Sequence, residues 1–247
     1  MNLQVIASGS KGNCYVLDDG NRQLMIECGV SINAIKAALD FDFSRVDGCL
    51  VTHSHQDHCK AASDLCKLGV NIYSSSGTLH EIGLDNHHRA IALNPEVSRI
   101  GAFKSPWRTL PFAIKHDTSE PFGFFITNNA NREKFIFLTD AAYSPFAFTE
   151  IDYLLVECNH DYDSLNDSVE TDAISDAHRL RVMTNHFSLE NCVEFAKVCA
   201  KYSPALRRVV LLHTSDQNAD VNKMIKTMQE KTGIVTEVAI GGKTIEL

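Results

Sequence analysis

Three histidines and one aspartate lie within six consecutive positions of the sequence, as His53, His55, Asp57 and His58. They directly follow an apolar segment that is typical of a buried strand, where the chain is expected to turn at the edge of a sheet. Neutral imidazole and carboxylate groups suit zinc and similar divalent ions. The motif therefore predicts a metal site. Alternation along an extended loop would direct His53 and His55 to one ion and Asp57 and His58 to another.

Three more residues of the same chemical types each follow a predicted strand: His116 comes after FAIK, Asp140 after FIFLT and His213 after VVLL. A single histidine is most often a surface residue or a satisfied core residue, so none of these positions alone indicates a ligand. Together with the histidine motif, they strengthen the prediction of a metal site. We expect Cys59, which directly follows the motif, to be a packing residue.

Short strands and helices must position these residues. Turns rich in Gly, Asn and Asp separate the strand-like segments of the first third, which are 3–7, 14–18, 23–29 and 48–53. Ser31 is a suitable N-cap for a helix over 31–39. Later segments alternate between helix and strand, with helices predicted over 77–84 and 169–180, among others. This pattern predicts an α/β fold.

The length of 247 residues, of which 44% are hydrophobic, is enough to bury a sizeable core. No segment rich in Pro, Gly or Ser marks a linker, and no repeat of fixed period is visible. We therefore expect a single domain over residues 1–247.

Composition also bears on location and partners. The sequence has no run of about 18 apolar residues, and its start lacks the basic and apolar stretches of a secretion signal. Its eight cysteines form no CxxC pair and lie mostly in apolar segments, as reduced thiols do. We expect a cytoplasmic protein without membrane contact. A formal charge of −8 counts mildly against binding a long polyanion.

Seven residues resemble, in the same chain order, the ligand set of the metallo-β-lactamase superfamily: His53, His55, Asp57, His58, His116, Asp140 and His213. The resemblance implies an αββα sandwich, with two mixed β-sheets flanked by helices. It also implies two divalent ions, with zinc as the first expectation and manganese as the alternative. One ion is then held by His53, His55 and His116. The second is held by Asp57, His58 and His213, with Asp140 bridging the two.

Further motifs resemble the YycJ/WalJ-like branch of this superfamily, which is related to tRNase Z. They are ASGSKGN near the start, ECNHD at 157–161, NHFSLEN at 185–191 and HTSDQN at 213–218. Two positions depart from the pattern. Glu27 stands where the superfamily commonly has Asp, and Phe187 stands where the branch usually has an aliphatic residue. The first departure lengthens the expected partner of a ligand histidine by one methylene.

The resemblance also implies catalytic residues. Asp57 would orient a metal-bridging hydroxide, and His186 would be a general acid or a donor to a phosphate oxygen, with Glu157 as its carboxylate partner. The alternative for His186 is a structural position just before a helix with Ser188 as its N-cap.

Substrate contacts are expected from a second set of residues, which are Ser10, Asn13, His160 and His186. Ser10 and Asn13 lie in a loop rich in Gly and Ser that is suited to approach a phosphate. The alternative for His160 is a plain loop position.

Several functions stay open at this point. The first is a metal-dependent phosphodiesterase acting on nucleic acid, most simply a DNA exonuclease. The second is hydrolysis of small cyclic nucleotides, as in phage anti-Pycsar-like relatives of this fold, because the segment between His116 and Asp140 is too short for a tRNA-binding arm. The third is hydrolysis of a thioester or lactam, and the fourth is a non-catalytic metal-stabilised binding module. A homodimer is expected by analogy with the fold.

Overall fold

The structure is a computed structural model, and it describes residues 1–94, 98–101, 104–215 and 218–247. The backbone divides into two compact units. Unit 1 consists of Met1–Ala113, Thr118–Glu133 and Ala239–Leu247, and unit 2 of Ile114–Asp117 and Lys134–Val238. The expectation of a single domain stays a prediction.

The strands in chain order are β1 (Asn2–Ala7), β2 (Cys14–Asp18), β3 (Gln23–Ile26), β4 (Val46–Leu50), β5 (Ile72–Ser74), β6 (Ala90–Ala92), β7 (Ser98–Arg99), β8 (Trp107–Ala113), β9 (Phe122–Asn128), β10 (Glu133–Leu138), β11 (Tyr153–Glu157), β12 (Arg208–Leu212), β13 (Val235–Val238) and β14 (Lys243–Glu246). The helices are α1 (Ile32–Ala38), α2 (Gln56–Cys59), α3 (Ala62–Lys67), α4 (Ser76–Glu81), α5 (Tyr162–Glu170), α6 (Asp176–Asn185), α7 (Leu189–Tyr202) and α8 (Val221–Thr232).

Unit 1 contains a mixed sheet with the strand order β14-β1-β2-β3-β4-β5-β6. The pairs from β14 to β3 are antiparallel, and those from β3 to β6 are parallel. Parallel neighbours require crossover connections, and the helices α1 to α4 lie in those connections. The same unit contains the antiparallel strands β7, β8 and β9. The candidate ligands of this unit therefore follow β4, a strand inside the parallel part of the sheet.

In unit 2, the strands β10, β11, β12 and β13 are parallel neighbours in that order. The segments FIFL, YLLV and VVLL of β10, β11 and β12 are continuous apolar runs and are buried. This is the pattern of parallel strands that are covered on both faces. Asp140 and His213 lie just beyond the carboxyl ends of β10 and β12, and Glu157 is the last residue of β11.

Helix ends follow local capping chemistry. The Ser31 side chain accepts a hydrogen bond from the Ala34 N–H, so α1 begins where the sequence predicts. The continuous helix predicted over 169–180 is wrong. Helix α5 ends at Glu170, Asp172 adopts a left-handed backbone with φ +55°, and α6 begins only after the N-cap Ser175. A left-handed residue and a new N-cap end one helix and start another despite the apolar spacing.

The cysteines agree with the sequence prediction, because all eight are buried free thiols. Cys59 is 4% exposed, and its thiol donates to the carbonyl of Ser54 within its own loop. Burial raises the pKa of the Cys59 thiol to about 12, so it stays protonated at neutral pH. Within the described ranges, none of the helices has both the length and the apolar character that crossing a membrane requires.

Candidate functional site

The histidine motif of unit 1 forms a compact imidazole cluster. The Nε2 atom of His53 lies 3.2 Å from Nδ1 of His55, and the ring centroids of His53 and His58 are 4.1 Å apart. His53 and His58 are completely buried. Burying several imidazoles side by side is costly unless they share a proton or a cation, so the cluster has the chemistry of a metal site.

The two halves of the motif differ in backbone conformation. His53 lies in the loop after β4, whereas Asp57 and His58 belong to the helical turn α2, of which His55 is the N-cap. The expected extended loop is therefore wrong for Asp57 and His58, whereas the assignment of the two ligand pairs to two ions stays a prediction. The His58 and Cys59 N–H groups donate to the His55 carbonyl, which closes the turn. Asp57 lies in the first turn, where the helix dipole favours a carboxylate.

Two residues orient His53 and His58. The Thr52 hydroxyl lies 2.9 Å from Nδ1 of His53. Glu27 is completely buried, and its Oε1 lies 3.5 Å from Nδ1 of His58. The Glu27 carboxylate also accepts from the Thr52 N–H at 3.3 Å. Carboxylates that contact ligand histidines fix the ring orientation, and here a glutamate reaches His58 where the superfamily commonly has aspartate.

Asn13 contacts the same histidine from the other side. Its Nδ2 lies 3.2 Å from Nε2 of His58, and its Oδ1 accepts from the Gly9 N–H and the Tyr15 hydroxyl. Asn13 is almost completely buried, whereas Ser10 is exposed. These contacts make Asn13 a positioning residue for His58. Substrate binding by Ser10 and Asn13 stays a prediction.

Unit 2 contains a second cluster, in which one ligand atom of each residue lies within 4.8 Å of the others: Asp140, Glu157, His186 and His213. Nδ1 of His213 is 2.9 Å from Oδ1 of Asp140 and 2.8 Å from Oε1 of Glu157. Nδ1 of His186 donates to the same Glu157 oxygen over 2.7 Å. One buried carboxylate thus orients both imidazoles.

Backbone conformation marks these positions as well. Glu27, Asp140 and His213 all have positive φ angles, of 61°, 51° and 49°. Left-handed backbone is unfavourable for residues with a side chain and is concentrated at functional sites. Each of the three residues follows the end of a strand. The left-handed backbone thus turns the chain at the strand ends where these three side chains lie.

The charges of the second cluster are strongly coupled. Burial opposes the charged form of His186, but the Glu157 and Asp140 carboxylates outweigh it and raise the His186 pKa to about 10. Burial likewise opposes charge on His213, while Asp140 and Glu157 raise its pKa to about 9. Burial alone would raise the pKa of Glu157, but the positive charge of His186 outweighs burial and lowers this pKa. The carboxylates thus attract positive charge, which a bound metal ion would also supply.

His116 lies beside this cluster. Its side chain is 3% exposed, its Nε2 is 3.1 Å from Oδ1 of Asp117, and its ring centroid is 6.3 Å from that of His186. Asp117 and Thr52 are contacts that the sequence interpretation missed. Both directly adjoin a predicted ligand histidine in the chain, and this adjacency is the signal that would have indicated them.

His160 is buried but separate from the cluster of four. Its side chain is 1% exposed, and within the described part of the chain neither ring nitrogen has a hydrogen-bond partner. Burial lowers the His160 pKa to about 4, so the ring is neutral at physiological pH. Ser188 is the N-cap of α7, as the structural alternative for His186 expects, and His186 nevertheless contacts Glu157. Residues 216 and 217 of the HTSDQN motif lie outside the described residues.

Comparisons with known proteins bear on this arrangement. Over 178 residues the chain is 28% identical to exodeoxyribonuclease YycJ of Bacillus anthracis, covering 67% of this chain and 65% of that protein. The chain therefore matches slightly less than two thirds of that relative's length. The fold is similar to the metallo-beta-lactamase fold protein YhfI from Bacillus subtilis, with a TM-score of 0.75 and 17% identity over 100% of this chain and 99% of that one.

A second solved structure, the short form of human tRNase Z, is similar with a TM-score of 0.65 and 16% identity over 100% of this chain and 99% of that one. These likenesses confirm an α/β fold with two mixed sheets flanked by helices. Residues 7–146 match the family model described as the Metallo-beta-lactamase superfamily. Because that match includes more than half of the sequence, the chain belongs to the metallo-β-lactamase superfamily.

Proposed function

We propose that this protein is a metal-dependent hydrolase that cleaves phosphodiester bonds with the help of two divalent ions. The observation that carries the proposal is the pair of clusters, each of which gathers imidazole and carboxylate groups within its own unit. The similarity to an exodeoxyribonuclease supports the choice of a phosphodiester as the substrate bond.

The donor chemistry of both clusters fits divalent cations, because buried imidazoles and carboxylates are the groups that zinc and manganese prefer. The metal ligands that we propose from the family pattern are His53, His55, Asp57, His58, His116, Asp140 and His213. Bound ions supply an acidic water and polarise the phosphoryl oxygens. Zinc is proposed as the native metal because of the number of histidines, with manganese as the alternative.

In the proposed reaction, His186 donates a proton or hydrogen bond to the substrate, and Glu157 orients His186. Glu157 accepts a hydrogen bond from Nδ1 of His186, which leaves Nε2 as the ring nitrogen that we propose contacts the substrate. The raised pKa keeps His186 protonated at neutral pH. The protonated ring can donate to a phosphate oxygen or pass its proton to the leaving oxygen. Asp57, in the first turn of α2, is proposed to orient the attacking water.

Nucleic acid is the first choice of substrate, in the form of a DNA exonuclease. The similarity to exodeoxyribonuclease YycJ of Bacillus anthracis supports it. A small cyclic nucleotide is the second choice, and the net charge of −8 favours it because an acidic chain repels a long polyanion. Hydrolysis of a thioester or lactam is a weaker alternative because neither the exodeoxyribonuclease nor tRNase Z is named for that chemistry.

Three further proposals concern the state of the protein. A cytoplasmic location is supported by the eight free, buried thiols, because reducing compartments keep cysteines in this form. Binding of a substrate phosphate by Ser10, Asn13 and His160 is proposed from the motifs that contain them. A homodimer is proposed by analogy with the fold alone.

A substrate panel tests the proposal. Zinc-loaded and manganese-loaded protein are incubated with linear double-stranded DNA, single-stranded RNA and 3′,5′-cyclic mononucleotides. Asp57→Ala and His58→Ala are the inactive controls, and His80→Ala, at an exposed histidine, is the matched active control. Cleavage of DNA alone supports the exonuclease, and turnover of cyclic nucleotides alone supports the second choice. Absence of cleavage in all three substrates contradicts the phosphodiesterase proposal.

A further inference from the structure

An aromatic groove lies in unit 2, within the stretch of chain that follows Asp140. Its volume is about 290 Å³, just below the roughly 300–1,000 Å³ that small-molecule sites occupy. One wall is the segment 143–147, and the other consists of Phe187 and residues of α7. Tyr143 and Phe146 line the groove and are 55% and 39% exposed. Exposed aromatic rings around a groove are typical of a surface that binds a partner or ligand.

The buried carboxylate of Glu157 in the second cluster also binds the backbone next to each wall of the groove. Oε2 of Glu157 accepts from the Ala141 N–H at 3.3 Å and from the Phe187 N–H at 3.2 Å. Its other oxygen accepts from His186 and His213. Tyr143 is two residues beyond Ala141, and Phe187 directly follows His186. The groove therefore adjoins the cluster at which we propose that phosphate is cleaved.

A row of aromatic ring contacts connects the two walls of the groove. The Phe187 ring lies 5.9 Å from that of Phe195, which packs at 6.1 Å on Phe148, which in turn lies 6.2 Å from Phe146. Asn191 donates a hydrogen bond to the Ala142 carbonyl and ties α7 to the facing segment. The aromatic residue at 187, a departure from the branch pattern, thus forms the inner end of a continuous aromatic row. Such a row holds Phe146 in place without a ligand.

The polar groups of the groove suit a planar ring of low net charge. Glu194 is the charged side chain among its described lining residues, and its Oε1 pairs with Nζ of Lys197 on the same helix at 2.6 Å. The other oxygen of this carboxylate can accept a hydrogen bond from the amino group of a nucleobase. Aromatic side chains stack on any base because every base has a π face. The lining therefore suits an uncharged aromatic ring that belongs to the same substrate as the phosphate bound at the second cluster.

We propose that this groove is a nucleobase subsite, which binds the base of the nucleotide whose phosphodiester is hydrolysed at the adjoining cluster. The proposal rests on the proposed phosphodiesterase function and names the feature of the substrate that the protein recognises. Recognition is by stacking on Tyr143 and Phe146, so it tolerates different bases.

A pair of substrates tests the subsite directly. Thymidine 5′-(p-nitrophenyl phosphate) carries a base, and methyl p-nitrophenyl phosphate has the same leaving group without one. Phe146→Ala is expected to lower the ratio of kcat/KM for the two substrates about tenfold, mainly through KM. Tyr202→Ala, at an exposed tyrosine outside the groove, is the matched control and leaves the ratio unchanged. An unchanged ratio in both Phe146→Ala and Tyr143→Ala overturns the proposal.

A binding measurement separates the subsite from the hydrolysis. Zinc-loaded, isotope-labelled full chain is titrated with deoxyadenosine, which has no phosphate, and amide shifts are followed. Amide shifts confined to 143–147 and α7 support the subsite. Absence of phosphodiester cleavage in the same protein would contradict only the proposed function. Saturating deoxyadenosine without these shifts overturns the subsite. Sedimentation provides a second way to overturn the subsite. If Phe146→Ala converts a dimer into a monomer and leaves the substrate ratio unchanged, a second copy of the chain covers the groove instead of a base.

Discussion

His186 donates a hydrogen bond from Nδ1 to the completely buried carboxylate of Glu157 over 2.7 Å. The two residues are 29 positions apart in the chain, yet this contact sets the charge of the imidazole. Glu157 also accepts from His213, so one carboxylate serves both the proposed proton donor and a proposed metal ligand.

Glu157→Gln is expected to lower the His186 pKa from about 10 towards its ordinary value, because the amide keeps the shape but removes the negative charge. Loss of the protonated donor should reduce kcat about 100-fold. The pKa is measured by NMR titration of the metal-free protein, and kcat with the metal-loaded protein. Glu170→Gln, at an exposed position, is the control. A His186 pKa that stays above 9 in Glu157→Gln would contradict the assignment.

Glu27→Gln is expected to weaken metal binding about tenfold, because the carboxylate beside His58 orients that ring and makes it a better ligand. Competition with a coloured chelator measures the affinity. Glu246→Gln, an exposed substitution in the same unit, should bind metal as the unchanged protein does. Equal affinity in both variants would show that Glu27 has no influence on the ligand.

Removal of the metal should abolish hydrolysis and lower Tm. Ions that bind the folded chain and not the unfolded chain stabilise it in proportion to the logarithm of their concentration. Activity and thermal unfolding are measured before and after treatment with a chelator, and again after adding zinc or manganese. The ion that restores both properties at the lower concentration is the better candidate for the native metal. Full activity in the chelated protein would rule out metal-dependent catalysis.

His160→Asn is expected to reduce the loss of stability between pH 7 and pH 4.5 by about 2 kcal/mol. Burial lowers the His160 pKa to about 4, whereas the unfolded chain titrates near 6.5. The unfolded state therefore binds the proton first, and stability is lost as the pH falls from 6.5 towards 4. Urea unfolding of metal-free protein at the two pH values measures the effect. His178→Asn, at an exposed histidine, should behave like the unchanged protein.

Asp161→Asn is expected to lower the free energy of unfolding by about 1–2 kcal/mol at pH 7, with the difference shrinking below pH 4. Burial raises the pKa of this carboxyl, but hydrogen bonds from Lys223 and Ser164 outweigh it and lower the pKa to about 2. Its stabilisation is thus complete above the unfolded value of about 3.9 and is lost as the pH falls through 2. Asparagine keeps one oxygen that can cap α5, but it loses the ion pair with Lys223 and one of the two oxygens that accept from Ser164 and the Asp220 N–H.

A pH-independent difference between Asp161→Asn and the unchanged protein would show that packing rather than charge is responsible. Asp163→Asn is the matched control, because Asp163 contacts the same Lys223 but is largely exposed. An exposed pair contributes little, so this variant should lose less than about 0.5 kcal/mol.

Local chemistry along the chain made much of this protein predictable. The motif from His53 to His58, the apolar runs before Asp140 and His213, and the caps Ser31 and Ser188 all depend on neighbours within a few residues. Such spacing determines which side chains share a turn or a strand end. The α/β class and the superfamily therefore followed from the sequence alone.

Only the tertiary structure decided which distant groups meet. It joined Glu157 to His186 and His213, brought Glu27 against His58, and placed Phe187 at the end of an aromatic row. The structure also places Asp57 and His58 in a helical turn, and it shows two helices, α5 and α6, in place of the one predicted over 169–180. These contacts depend on how strands align and where left-handed residues bend the chain. Sequence spacing does not specify either, because packing between distant segments selects the final arrangement.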